Sequence, residues 1–205
     1  MKFLVLASGT DSGSNSDFGL VEAGHQVVRC HDEGAPAFPC RGMESGDCPL
    51  DVGDVDAALF VGGGDGDSVT DDGAGEDGAR CALRRHVPLV VAGVSDGSSL
   101  KPWASAVLQG SDDVMATLEI AAQAPSAQHG SVATGAFAGV LEAHGLDGEV
   151  AEAVVFRVGG SLHVELRPTG PVDDVIFEIA AIRVAGALRA FDPYSRVIDV
   201  VSIPG

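Results

Sequence analysis

Aromatic side chains are scarce in this sequence: one Trp (Trp103), one Tyr (Tyr194) and eight Phe among 205 residues, or 5%. Lysine is scarcer still, with Lys2 and Lys101 alone, so that 12 basic residues face 30 acidic ones and the formal net charge is −18. A field of that sign repels phosphate backbones and anionic lipid, and no basic stripe opposes it locally. Nucleic acid and membrane surfaces are therefore excluded as expected partners. Long apolar runs are missing too. The opening MKFLVLASG holds four consecutive apolar residues before it turns polar, too few for a signal segment or a membrane span, which predicts a soluble, cytoplasmic protein. Aspartate outnumbers glutamate by 20 to 10, a bias that suits salt adaptation or a GC-rich genome equally.

Several catalytic signatures are absent as well. There is no GxxxxGK[ST] phosphate loop and no HExxH, and the loop after the first strand does not match GxGxxG, which removes the common sequence routes to ATP and zinc-protease chemistry and leaves no dinucleotide fingerprint at that loop. The four cysteines, Cys30, Cys40, Cys48 and Cys81, include no CxxC pair, and without a secretion signal a disulfide framework is not the default. Reduced thiols are the baseline.

With 45% hydrophobic residues the chain has ample material for a buried core. Its first half alternates short apolar runs with helical patterns: strands over Phe3–Ala7, His25–His31, Val55–Val61 and Val87–Ala92, and helices over Asp17–Ala23 and Gly75–Arg85. Such alternation predicts βαβ units and a parallel sheet covered on both faces, a Rossmann-like or flavodoxin-like α/β domain over residues 1–110. A Gly, Ser and Asp cluster at Gln109–Val114 reads as a linker. The second half predicts a strand at Met115–Ala122, a helix over Ser126–His144, a hairpin of Ala153–Val158 and Ser161–Arg167 turning at Gly159-Gly160, a helix over Val172–Ala190 and a strand at Arg196–Ile203. That order is the βαββαβ of a ferredoxin-like α+β domain over residues 115–205, expected to mediate homo-oligomer formation.

In a doubly wound sheet, ligands bind where the loops leave the carboxyl ends of the strands. Three loops qualify here: ASGTDSGSNSD after the first strand, GGGDGDS after the third and GVSDGSS after the fourth. The opening stretch MKFLVLASGTDSGSNSD resembles that of flavodoxins, in which a strand runs into a Gly-Ser-Thr-Thr-Gly-Asn-Thr loop. The matching residues are Gly9, Thr10, Asp11, Ser12, Gly13, Ser14 and Asn15. The resemblance implies an FMN phosphate held by hydroxyls and backbone amides without a basic residue, which amides at a helix N-terminus can do. It further implies that Gly63 and Gly64, and Ser95 and Asp96 in the later loops, flank the cofactor. The sequence departs from that family at Asp11, a carboxylate inside the phosphate loop, and in having no aromatic residue in GGGDGDS. As turn formers, the same glycines and serines allow positive φ, and Ser14 to Asp17 supply helix caps.

Two further constellations invite a metal reading. Asp65, Asp67, Asp71 and Glu76 fall at the first, third, seventh and twelfth places of a calcium loop, but Val69 and Thr70 occupy places that need a ligand and a glycine, so an acidic surface loop is the better reading. Cys30, His31, Cys40 and Cys48 offer thiol and imidazole ligands of the kind zinc or iron takes, at spacings that match no knuckle. Buried structural thiols are the alternative. Of the histidines, His129 and His144 sit near the two ends of one helix, and no nucleophile and base pair is legible.

Two functions follow as expectations. One is a non-catalytic ligand-binding or regulatory protein, whose strand-end loops hold a small ligand or a protein partner. The other is an FMN-dependent electron carrier or oxidoreductase.

Overall fold

The computed structural model describes residues 1–7, 18–31, 39–51, 54–62, 72–110 and 112–203, with Ala7 and residues 72–75 described in backbone only. The chain divides into two compact units, Met1–Ala122 and Gln123–Gly205.

The first unit is built on β1 (Lys2–Ala7), β2 (Gln26–Arg29), β3 (Ala57–Val61), β4 (Leu89–Ala92) and β5 (Ala106–Leu108), all parallel in the order β2-β1-β3-β4-β5. Both faces are buried, which is why these strands read as continuous apolar runs. Leu4 and Leu6 of β1 point to one face, with Ala58 and Phe60 of β3 and with Ala79 and Ala82 of α2 (Asp72–Arg84). Phe3 and Val5 point to the other, with Ala57 and Leu59, with Leu20 from the β1–β2 connection, and with α3 (Val114–Gln123). A short helix, α1 (Arg41–Glu44), follows β2 and is tied to it where the Arg41 N–H donates to the Cys30 carbonyl at 2.9 Å.

Three local expectations are corrected. The described part of the helix expected at Asp17–Ala23, residues 18–23, is a set of turns, with Phe18 and Gly19 at positive φ. β5 was not foreseen, because three residues after a proline carry no readable period. Met115–Ala122 is the helix α3 instead of a strand. Asp113 accepts the Ala116 N–H at 3.0 Å as an N-cap, Ala, Leu, Met and Glu favour helix, and Leu118, Ala121 and Ala122 are buried at helical spacing.

The second unit consists of α4 (Ala127–Ala143), β6 (Ala151–Val158), β7 (Ser161–Pro168), α5 (Asp174–Phe191) and β8 (Val197–Ser202). β6 and β7 form the expected hairpin around Gly159 and Gly160, both at positive φ, and β8 adds to β7 in parallel, giving a three-stranded sheet in the order β6-β7-β8. The ferredoxin-like βαββαβ arrangement is corrected accordingly. Its first strand is α3, which packs on the first unit's sheet, and the described residues of the second unit run αββαβ. Ala153, Val155, Leu162, Val164 and Leu166 face α4 and α5 and form a core with Phe137, Leu141, Val184 and Leu188. Gly130 lets α4 lie close to β6, since a Cβ there would sit 3.3 Å from the Ala153 carbonyl oxygen. Among the described residues no helix is long and apolar enough to cross a membrane.

Candidate functional site

The parallel order places the ends of β1, β3 and β4 on one edge of the sheet. Of the residues assigned to that edge from sequence, Gly9, Thr10, Ser12, Gly13, Ser14, Asn15, Gly63 and Gly64 lie outside the described residues. The described part of the edge is a glycine ledge. Gly62 donates its N–H to Ala92 at 2.8 Å, and a Cβ on Gly62 would meet the Gly93 carbonyl oxygen at 2.6 Å. Beyond it, Ser95 closes a turn by accepting the Ser98 N–H at 3.1 Å, and Asp96 pairs with Lys101 at 2.8 Å. The hydrogen bond from Lys101, and then its charge, lower the Asp96 carboxyl below its ordinary range. Ser99 donates to Glu76 of α2 at 3.3 Å, and Glu76 also holds Arg80 at 2.8 Å. Lys101 and Arg80 are thus both committed to carboxylates. Trp103 does not belong to this edge: two residues later the Ser105 N–H donates to Leu89, at the amino end of β4, so the chain has already crossed to the opposite side of the sheet.

The cysteines are brought near one another by the core. Cys30 is buried at the end of β2, and Cys40 and Cys48 pack against the same cluster. A Cβ on Gly42 would come within 2.9 Å of the Cys48 Cβ, so α1 rests on Cys48. Burial, reinforced by Cys48, Cys40 and Cys81, pushes the Cys30 thiol up to about 12. Burial also raises Cys81. All four are free thiols, and among the described residues no three His, Cys, Asp or Glu side chains gather in a way that could hold a metal ion. A thiol held protonated, as Cys30 is, is a poor nucleophile.

A third constellation lies in the second unit, and sequence reading missed it. His129, in the first turn of α4, is wholly buried, as is Asp192, which ends α5. The ring joins Ser126 and Asp192: Ser126 Oγ lies 2.7 Å from Nδ1, and Nε2 lies 3.0 Å from Asp192 Oδ2. Asp192 is satisfied further by Arg157 of β6 at 2.9 Å, the Ser195 hydroxyl at 2.7 Å and the Tyr194 N–H at 3.1 Å. Burial alone would raise this carboxyl; hydrogen bonds from His129 and Ser195 and the charge and hydrogen bond of Arg157 outweigh it and hold the group well below the usual carboxylate range. Asp192 is therefore ionised and accepts only, so with a neutral ring Nε2 carries the imidazole proton and Nδ1 accepts the Ser126 hydroxyl. Phe191 packs edge-on against the ring at 5.2 Å. Ser126 itself is partly exposed, and its backbone is anchored where its N–H donates to Val155 of β6 at 2.8 Å.

The one local signal in sequence was Ser126 three residues before His129 at a helix start. Asp192 is 63 residues from His129, and no spacing rule joins them. No protein-family model matches the chain, and neither the curated proteins nor the solved structures contain a significant match to it.

Proposed function

We propose that the first unit is a binding module that holds a small ligand at the carboxyl edge of its parallel sheet and acts in a regulatory or interaction role. One observation carries this reading. β1 and β3 are neighbours, yet their onward connections lie on opposite faces: Leu20, between β1 and β2, packs with Phe3 and Val5, whereas α2, between β3 and β4, packs with Leu4 and Leu6. Where connections part in this way a crevice opens at the strand ends, and it is the favoured ligand position of open α/β sheets. The glycine ledge at Gly62 and Gly93 supports it, because the ends of β3 and β4 meet backbone to backbone there and put no side chain of their own on that edge.

The described groups on the edge also favour a ligand class. Glu76 and Asp96 are carboxylates, and Arg80 and Lys101 are already paired with them. A neutral or cationic small molecule suits such a rim better than an anion does. The flavin alternative is supported by the strand order β2-β1-β3-β4-β5, which is that of flavodoxin-like sheets.

One experiment separates the two. The visible spectrum of the purified protein is recorded before and after addition of FMN and removal of the unbound flavin, alongside a thermal-shift screen of neutral and cationic small molecules. Retained flavin absorbance favours the electron carrier. Stabilisation by an uncharged or cationic compound, lost in Gly97→Val, where the added side chain enters open space on the loop after β4, favours the binding module, and a blank result in both arms rejects the edge as a site.

A further inference from the structure

We infer that Ser126 is a nucleophile for acyl transfer, with His129 as its general base and Asp192 as the group that positions the imidazole. The geometry separates this arrangement from an ordinary helix cap. Ser126 occupies the N-cap position of α4, where a serine oxygen usually accepts a first-turn backbone N–H; here the side chain makes no such bond and its hydroxyl is directed to His129 Nδ1 at 2.7 Å. The base is oriented in turn by a buried carboxylate at 3.0 Å. A nucleophile bonded to a base, and the base bonded to an orienting acid, are the three relations that activated serines require, whatever the fold or the chain order.

The surroundings supply the remaining parts. Ser126 is the only member of the three that reaches the surface, since His129 and Asp192 are fully buried. It stands at the positive end of a 17-residue helix, where developing negative charge is stabilised. The step balances without any co-reactant except water. Ser126 Oγ bonds to the carbonyl carbon as its proton passes to His129 Nδ1. The tetrahedral oxyanion collapses, the bond to the leaving oxygen breaks, and that oxygen takes the proton from Nδ1. Water then attacks the acyl-serine, yields its proton to Nδ1, and releases the acid as Ser126 recovers the proton. The ester becomes acid and alcohol, and Asp192 stays ionised throughout.

Arg157 narrows the substrate class. It shares Asp192 with the imidazole at 2.9 Å, so the carboxylate stabilises an imidazolium less than an unshared one would. Leaving groups that depart with little protonation are favoured, which means activated esters such as aryl esters, in preference to amides.

The test uses the full chain with a fluorophosphonate probe and p-nitrophenyl acetate. Expected are one covalent adduct per chain, mapped by mass spectrometry to Ser126, and an ester hydrolysis rate that falls at least about a hundredfold in Ser126→Ala while the fold, monitored by circular dichroism, is retained. Ser126→Cys keeps a nucleophile in place and is expected to be alkylated by iodoacetamide faster than any of the native thiols. For the positioning role, the ring-nitrogen NMR signals of His129 report a proton on Nε2 in the native chain, and Asp192→Asn is expected to shift that proton and slow the labelling of Ser126. An adduct on other residues with Ser126 untouched, or unchanged hydrolysis in folded Ser126→Ala, overturns the assignment.

Discussion

Gly62 and Gly93 meet across the ends of β3 and β4 so closely that a Cβ on the first would lie 2.6 Å from the carbonyl oxygen of the second, and Gly93 itself sits at φ +63°. Backbone faces backbone here, so no flexible side chain can yield. Gly62→Ala is expected to destabilise the first unit by about 1–3 kcal/mol, the usual cost of overpacking. Thermal unfolding checks this, and Gly97→Ala, in open space on the loop that Gly93 begins, is the control that should change little.

Asp192 holds the corner of the second unit together through His129, Arg157 and Ser195. Replacing it by Asn leaves Arg157 buried without its counter-charge, and an uncompensated buried cation costs about 3–5 kcal/mol. Chemical denaturation of the native chain and of Asp192→Asn measures the difference.

The same group imposes an acid dependence. Its folded pKa lies below the ordinary 3.8, so its contribution is fully present above that value and is lost as the pH falls below it, where the unfolded chain takes up the proton first. Melting temperature followed from pH 5 downward, to about pH 2, should drop in the native chain, and this component should vanish in Asp192→Asn.

Cys30 gives the opposite sign. Its folded pKa is raised from 9.0 to about 12, so the folded chain keeps the proton that the unfolded chain loses. Stability from this group is intact below pH 9 and declines as the pH rises from 9 towards 12. At neutral pH, timed alkylation and peptide mapping should find Cys30 among the last thiols to react, and Cys30→Ala should flatten the alkaline part of the stability profile.

Asp113 is the N-cap that starts α3, accepting the Ala116 N–H at 3.0 Å. Asp113→Ala is expected to lower stability by about 1 kcal/mol, while Asp113→Ser retains most of it. Hydrogen exchange at Ala116 and Thr117 localises the loss.

The class of the fold was legible because burial on both faces leaves a sequence mark. β1, β3 and β4 are apolar at successive positions, as strands inside a covered parallel sheet must be. The hairpin was legible for another local reason, two adjacent glycines at positive φ between alternating arms. α3 was misread, since MATLEIAA alternates as well as it turns. Its buried set of Leu118, Ala121 and Ala122 becomes visible only when the sheet it covers is in place, and Ile120, 70% exposed, is apolar without being part of the core.

Residue order alone thus determined the parallel α/β half and the glycine-rich strand ends, both properties of local pattern. Tertiary structure alone decided that Asp192 meets His129, that Arg157 shares that carboxylate, and that the Ser126 hydroxyl is directed to an imidazole instead of capping its helix. The reason is physical: hydrophobic periodicity is a short-range signal, whereas a buried polar network is assembled from residues far apart in the chain, whose charges are tolerated only where packing brings every partner to the same place.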